Sequence, residues 1–259
     1  LEDKMNADND INEVGVQMIL LVEDSVRFYS SVLPNLYKFL LKQSLIFSTE
    51  ALNEHEQMLR MRGRPKVMLA RDYEEAVELY ERFGRNMLGV LTDVSFMREG
   101  RKDSQAGLKL AAWLRERDPY LPIIVESSEE ENSAKVKASG WQFLDKNSKK
   151  FPVDLGNAIK RDFGFGDFII RDPETGNELL TIHDLKDLQR HIFDIPTKSL
   201  LYHASYNDIS RWLYSRALFP IAEVVKYHRF RNEEEAPLVR QLFFDLIVKY
   251  RKMKNRGVV

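Results

Sequence analysis

The sequence predicts an α/β chain: a doubly wound parallel sheet of five strands, followed by a smaller, mostly helical region that carries one β-hairpin. Three observations support this. Apolar runs alternate with amphipathic segments five times between residues 16 and 163, the pattern of a parallel sheet wrapped by helices. Four of the five runs stop on polar side chains, as buried parallel strands do on reaching the carboxyl edge of their sheet. After Phe163 the alternation stops, and Gly164-Phe-Gly-Asp-Phe168 opens a region of different pattern.

Taken in order, the polar stretch Asn6 to Glu13 reads as a linker, so residues 1–15 are assigned as linker or the tail of a preceding domain. Gln17-Met-Ile-Leu-Leu-Val22 is the first strand. It is followed at once by Glu23-Asp24-Ser25, where Asp24 or Ser25 can cap a helix. That helix, about Val26 to Gln43, spaces Phe28, Val32, Leu36, Phe39 and Leu40 along one side, with Pro34 as an expected kink. A second amphipathic segment, Ser48 to Arg62, ends at Gly63 and Pro65. Lys66 to Ala70 is a short strand, and Asp72 caps a helix from Tyr73 to Phe83. Leu88-Gly-Val-Leu-Thr-Asp-Val94 is the third strand. A polar loop is expected from Ser95 to Gln105, then a helix from Ala106 to Arg117 with Leu108, Ala111, Ala112 and Leu114 inward. Pro122-Ile-Ile-Val125, ending on Glu126-Ser127-Ser128, is the fourth strand, and Glu129 to Ala138 an exposed helix. Trp141-Gln-Phe-Leu144, ending at Asp145-Lys146, is the fifth strand, and Val153 to Phe163 the helix that closes the unit.

Composition bounds the function. The chain has 259 residues, 44% of them hydrophobic and 31% charged, as in soluble globular proteins. Lys plus Arg number 39 against 40 for Asp plus Glu, so no global charge draws the chain to nucleic acid or a membrane. With no cysteine, disulfides, thiol catalysis and cysteine-ligated metals are excluded, which fits a cytoplasmic location. No run approaches the roughly 18 apolar residues of a membrane span. Leu1 is not an initiator Met and Gly257-Val-Val259 is an apolar end, so we expect a piece of a longer protein.

The strand ends carry the chemistry. All parallel strands present their carboxyl ends to one edge, so Glu23, Asp24, Asp93, Ser127 and Lys146 converge there by topology. Each has a plainer reading alone: helix caps for the acidic pair, a strand-end hydroxyl for Ser127, a solvated amine for Lys146. Together they have a logic. Three carboxylates side by side repel, which favours a divalent cation with oxygen ligands such as Mg²⁺. Asp93 is then a nucleophile toward an anionic phosphoryl group, as in aspartyl-phosphate chemistry. Lys146 would neutralise the transferring oxygens and Ser127 would donate to one of them. A haloacid-dehalogenase-type phosphatase would need a second aspartate two residues after the nucleophile, where this chain has Ser95.

At these residues the chain resembles the receiver domains of response regulators (CheY-like), over about residues 16 to 163. The resemblance implies the flavodoxin-like strand order 2-1-3-4-5, with Glu23-Asp24 as the acidic pair and Asp93 as phosphoacceptor. It implies Ser127 as the switch hydroxyl, Lys146 as the family's lysine, Phe143 as the switch aromatic and the Ser95 backbone carbonyl as a metal ligand. It further implies Mg²⁺ as cofactor and a histidine kinase or phosphotransfer protein as donor in a two-component phosphorelay, with no enzymatic turnover beyond the domain's own phosphoryl transfer and hydrolysis. The downstream domain of the same parent chain and a second copy of the chain are the other expected partners. The class-different alternative is a non-phosphorylated docking module that uses the same fold as an interaction surface. The chain departs from the family pattern in three places. Ser44 to Arg64 looks like an insertion, the loop after Asp93 is longer and lacks a proline, and Asn147 stands where a proline usually follows the lysine.

Residues 164–259 are read as a separate, mainly helical connector. Phe168-Ile-Ile170 and Leu179-Leu-Thr-Ile182 flank the turn Asp172-Pro-Glu-Thr-Gly176 as a hairpin. Helices are expected from Asp184 to Phe193, after a cap at Ser205 or Asn207, and from Ala236 to Lys252 with Leu238, Leu242, Phe243 and Leu246 toward its apolar face. Trp212, Tyr214 and Phe219 are assigned to core. His183, His191, His203 and His228 lack metal-ligand spacing, and a phosphorylatable role for His203 is set aside. The basic end, Lys249 to Arg256, comes without a helix-turn-helix pattern, so nucleic acid is not an expected partner. Gly164–Phe168, Ser199–Ala204 and Trp212–Pro220 resemble the connector of large bacterial proteins that pair receiver domains with a phosphoenolpyruvate-synthase-like phosphotransferase. That resemblance implies a catalytic part beyond Val259.

Overall fold

A computed structural model describes residues 2–227 and 232–255, so His228, Arg256 and Gly257-Val-Val259 lie outside the described residues. The chain divides into two compact units, residues 1–42 with 64–163, and residues 43–63 with 164–259.

The first unit is built on strands β1 (Met18–Val22), β2 (Lys66–Ala70) and β3 (Met87–Asp93). Two further strands lie past a β-ribbon, β4 (Phe96–Arg98) and β5 (Arg101–Asp103); they are β6 (Ile123–Ser127) and β7 (Gln142–Asp145). The main sheet is parallel throughout and runs β2-β1-β3-β6-β7, the flavodoxin-like order expected from the sequence. Its central strands are buried because helices cover both faces. Every residue of β1 and β6 is buried, which explains the continuous apolar runs Met18–Val22 and Ile123–Val125. Helices α1 (Glu2–Val14), α2 (Val26–Ser48), α3 (Glu54–Arg62), α4 (Tyr73–Phe83), α5 (Ala106–Arg117), α6 (Asn132–Ala138) and α7 (Phe151–Asp162) complete the order up to Phe163. Gly89 on β3 lies under the Phe163 ring, where a side-chain carbon would come within 2.1 Å of it.

Several expectations need correction. The polar stretch Asn6 to Glu13 is not an irregular linker: it lies within the helix Glu2–Val14, α1, packed on the edge strand β2. Its polar character is consistent with that, because charged pairs rather than a broad apolar face attach it. Asp3 accepts from the Val67 N–H at 3.0 Å and the Tyr37 hydroxyl at 2.8 Å, and Lys4 and Asp8 pair with Glu75 and Arg82. Ala7 supplies the small contact that lets the helix close in. The loop 95–105 is not irregular either, since it folds into the antiparallel ribbon β4–β5. Glu99 and Gly100 both take positive φ, 51° and 72°, which suits a two-residue hairpin turn whose twist matches its strands. In α5, Leu110 faces the core, while Ala112 is exposed. The helix after Ser127 is shorter than expected and not wholly exposed, with Asn132 and Val136 buried.

In the second unit, α3 is capped by the Asn53 side chain, which accepts from the Glu56 N–H. Arg60 on α3 is buried and donates to Glu56 at 3.0 Å and to the Phe47 carbonyl at 2.8 Å. Tyr250 donates to Glu56 at 3.0 Å, and Asn53 donates to the Lys254 carbonyl at 2.6 Å. These bonds assign the segment 43–63 to the unit of the C-terminal helix, although sequence order had suggested an insertion within the sheet unit. Strands β8 (Phe168–Arg171) and β9 (Glu178–Ile182) form the expected hairpin. Helices α8 (Leu185–His191), α9 (Thr197–Ser205), α10 (Asp208–Ser215), α11 (Phe219–Tyr227) and α12 (Ala236–Asn255) follow. Helices α9 and α11 had no sequence counterpart. Asn207, at φ 58°, begins α10 without a side-chain cap bond, and Leu238 is exposed rather than on the apolar face of α12. Trp212 and Tyr214 are buried. Arg216 is 2% exposed and stacks on Phe47 and Trp212 while donating to the Gly164, Gly166 and Trp212 carbonyls. His203 is buried, its Nε2 accepting from the Arg171 N–H and its Nδ1 facing Asp208 at 2.8 Å, so both nitrogens are engaged.

Candidate functional site

The site lies at the carboxyl edge of the main sheet. Asp93 is the last residue of β3, Glu23 and Asp24 follow β1, Ser127 ends β6 and Lys146 follows β7. Register places Asp93 beside Glu126 and Ser127 beside Asp145, and Lys146 N–H donates to the Ser127 carbonyl at 2.9 Å. Glu23, Asp24 and Asp93 each present a carboxylate oxygen, all within 4.8 Å of one another.

Lys146 reaches into this cluster from the far strand. Its ammonium is buried, pairs with Glu23, and lies 2.9 Å from an Asp93 oxygen. The Phe28 ring, on the first turn of α2, sits 4.5 Å from the same nitrogen, a cation–π contact that closes the remaining side. Burial alone would lower the Lys146 pKa, but Asp93, Glu23 and Glu126 outweigh it, and the pKa is raised. Burial raises the Glu23 pKa, with Lys146 opposing it. Glu23 also accepts from the Ser25 N–H at 3.0 Å, so it serves the start of α2 as well as the cluster.

Three of the expected residues are placed differently from the charge cluster. The Ser127 hydroxyl accepts from the Glu129 N–H and the Asn132 amide, both at 3.0 Å, and so is tied to the start of α6. Phe143, opposite Val125 on β7, is half-buried and packs on the core. Ser95 presents its backbone carbonyl to Lys102 at 2.9 Å.

Sequence reasoning overlooked two charged groups. Lys102, on β5, donates to Asp24 at 2.6 Å as well as to the Ser95 carbonyl. Glu126 is wholly buried beside Asp93, with one oxygen lacking a partner, and burial pushes its pKa up to about 7. A glutamate inside an otherwise apolar strand was a visible signal. Lys102 gave none, since its partner Asp24 lies 78 positions away.

The three carboxylates suit a hard divalent cation, being oxygen donors throughout, and the Ser95 carbonyl shares the Lys102 ammonium with Asp24. The Lys102 ammonium contacting Asp24 and Ser95 shows that positive charge is accommodated there. Gly107 permits this arrangement, because a side-chain carbon on it would fall 1.8 Å from the Asp93 carbonyl oxygen.

No protein-family model matches the sequence, and no curated protein does. Among solved structures, the chain is similar to a response regulator receiver domain from Clostridium thermocellum, at 17% identity and a TM-score of 0.38, over 57% of this chain and 94% of that one. It is similar to the non-phosphorylated HemR receiver domain from Leptospira biflexa, at 20% identity and a TM-score of 0.37, over 55% and 94%. It is also similar to the receiver domain of a histidine kinase from Arabidopsis thaliana in complex with Mg²⁺ and BeF₃⁻, at 18% identity and a TM-score of 0.33, over 59% and 93%. Among the described residues, no helix is long and apolar enough to cross a membrane.

Proposed function

We propose that residues 16–163 form a receiver that accepts a phosphoryl group on Asp93 from a phosphohistidine donor, in a cytoplasmic phosphorelay. The convergence of Glu23, Asp24 and Asp93 on the buried Lys146 ammonium is the observation that carries this reading. An Asp93 carboxylate oxygen attacks phosphorus, the donor's P–N bond breaks, and its electron pair returns to the imidazole. Mg²⁺ held by Glu23, Asp24, Asp93 and the Ser95 carbonyl would supply charge neutralisation for the phosphoryl oxygens. Lys146 shields Asp93 from the like charge of Glu23 and offers an N–H to the incoming group.

The phosphoryl group then adds negative charge at the sheet edge. Ser127 exchanges its contacts with Glu129 and Asn132 for a bond to a phosphoryl oxygen, and Phe143 repacks into the space that opens. This shifts a two-state equilibrium. The output is regulatory rather than catalytic: a histidine kinase or phosphotransfer protein supplies the phosphoryl group, and a downstream domain of the parent chain reads the result. Residues 164–259 act as the connector, and a phosphotransferase is the parent activity this reading favours. Amide spectra recorded with beryllofluoride and Mg²⁺ test the switch: resonances of Ser127, Asn132 and Phe143 shift together. If they hold still while Asp93 shifts, Ser127 and Phe143 have no switching role.

A further inference from the structure

The three carboxylates at the sheet edge are balanced by two ammonium groups, and the two are held very differently. Lys146 is 2% exposed and sits on the Glu23 and Asp93 side. Lys102 is 54% exposed and sits on the Asp24 side, where it also takes the Ser95 carbonyl. An ammonium held against these two oxygens occupies the space a divalent cation would take beside Asp24 and opposes its charge, so the two cations compete for the same position.

The backbone carrying Lys102 is fixed. Phe96, on the opposite strand of the ribbon, is fully buried. The turn at Glu99 donates its N–H to Glu74, and Met97 bridges to Asp72 at the start of α4. The neighbouring Asp103 accepts from Lys109 at 2.7 Å and from the Gln105 N–H at 2.9 Å. The anchored ribbon thus holds the exposed Lys102 side chain within reach of the acidic cluster.

We propose that Lys102 is a tethered counter-ion that competes with the divalent cation for Asp24 and the Ser95 carbonyl. It thereby sets how much of that cation the site requires. This rests on the receiver reading of the same site and adds a control on its loading. Cation entry frees the Lys102 side chain to solvent, and cation loss restores the ion pair, so the acidic cluster keeps a positive partner in both conditions.

The test is Mn²⁺ binding to the full chain, followed by the electron paramagnetic resonance signal of free ion, for wild type, Lys102→Met, Lys102→Arg and Asp24→Asn. Lys102→Met should bind Mn²⁺ about two- to fivefold more tightly, the factor expected for removing one exposed charge pair. Lys102→Arg, which keeps the charge, should stay near wild type, and Asp24→Asn should bind more weakly. If wild type and Lys102→Met bind equally, or the variant binds more weakly, Lys102 is no competitor and the metal reading stands without it. Failure of every form to bind Mn²⁺ would overturn both the competition and the metal-dependent reading of the site.

Discussion

Glu126 offers the sharpest quantitative test of the electrostatics around Asp93. It is wholly buried on β6, between β3, which ends on Asp93, and β7, which Lys146 follows, and one carboxyl oxygen has no partner. Burial pushes its pKa from 4.5 to about 7, with Lys146 opposing and Glu23 and Asp93 adding to the shift. At about 1.4 kcal/mol per tenfold change in proton affinity, ionising Glu126 costs on the order of 3 kcal/mol more in the fold than in the unfolded chain. The folded state therefore keeps its proton where the unfolded chain has lost it. Its contribution makes stability fall as pH rises from 4.5 to about 7 and level off above that.

Glu126→Gln removes the ionisation and nearly preserves the shape. In EDTA, urea unfolding of both proteins across this range should give similar stabilities at the acid end. The variant should gain up to about 3 kcal/mol by the alkaline end. Taking the difference cancels the titration of groups remote from Glu126, leaving its own and that of the Glu23, Asp93 and Lys146 groups coupled to it, and exchange of the β6 amides reports the same change locally. A difference that does not vary with pH, or a variant less stable at the alkaline end, would mean that Glu126 is not held protonated by its burial.

Three further substitutions probe other supports. Gly107→Ala forces a side-chain carbon against the Asp93 carbonyl, so a loss of about 3 kcal/mol and faster exchange of the Asp93 and Val94 amides are expected, and a neutral result would show that the approach is not tight. Arg216→Lys keeps a charge but loses the planar fork that serves three carbonyls between two rings; denaturation of the second unit should show about 2–4 kcal/mol of destabilisation. Asp3→Ala leaves the Val67 N–H and Lys66 without that carboxylate, at about 1–3 kcal/mol, and proteolysis should then cut first within residues 2–14.

The sheet was legible in the sequence because its strands are buried on both faces. Met18–Val22, Val90–Thr92 and Ile123–Val125 have no solvent side, so their apolar runs and polar ends mark both position and direction. Topology then gathers Glu23, Asp24, Asp93 and Lys146 without any further signal. Elements held by distant charges were not legible. The attachment of α1 depends on Lys66, Glu75 and Arg82, and nothing near Asp3 announces them. The ribbon carrying Lys102 lacks apolar alternation on its outer strand, Arg101-Lys-Asp103, and depends on the turn at Glu99-Gly100. Residues 44–64 read as an insertion because Asn53 and Glu56 have their partners, Lys254 and Tyr250, about two hundred positions away. Helices α9 and α11 are short, and their burial is set by packing on α10 rather than by a period of their own.

Everything proposed for this site depends on Asp93 taking a phosphoryl group. Incubation of the full chain with acetyl phosphate and Mg²⁺, read by intact mass, tests it most directly. One phosphoryl adduct is expected, lost in Asp93→Asn and strongly reduced in Lys146→Met. No adduct on the wild type, or an adduct that survives in Asp93→Asn, would contradict it.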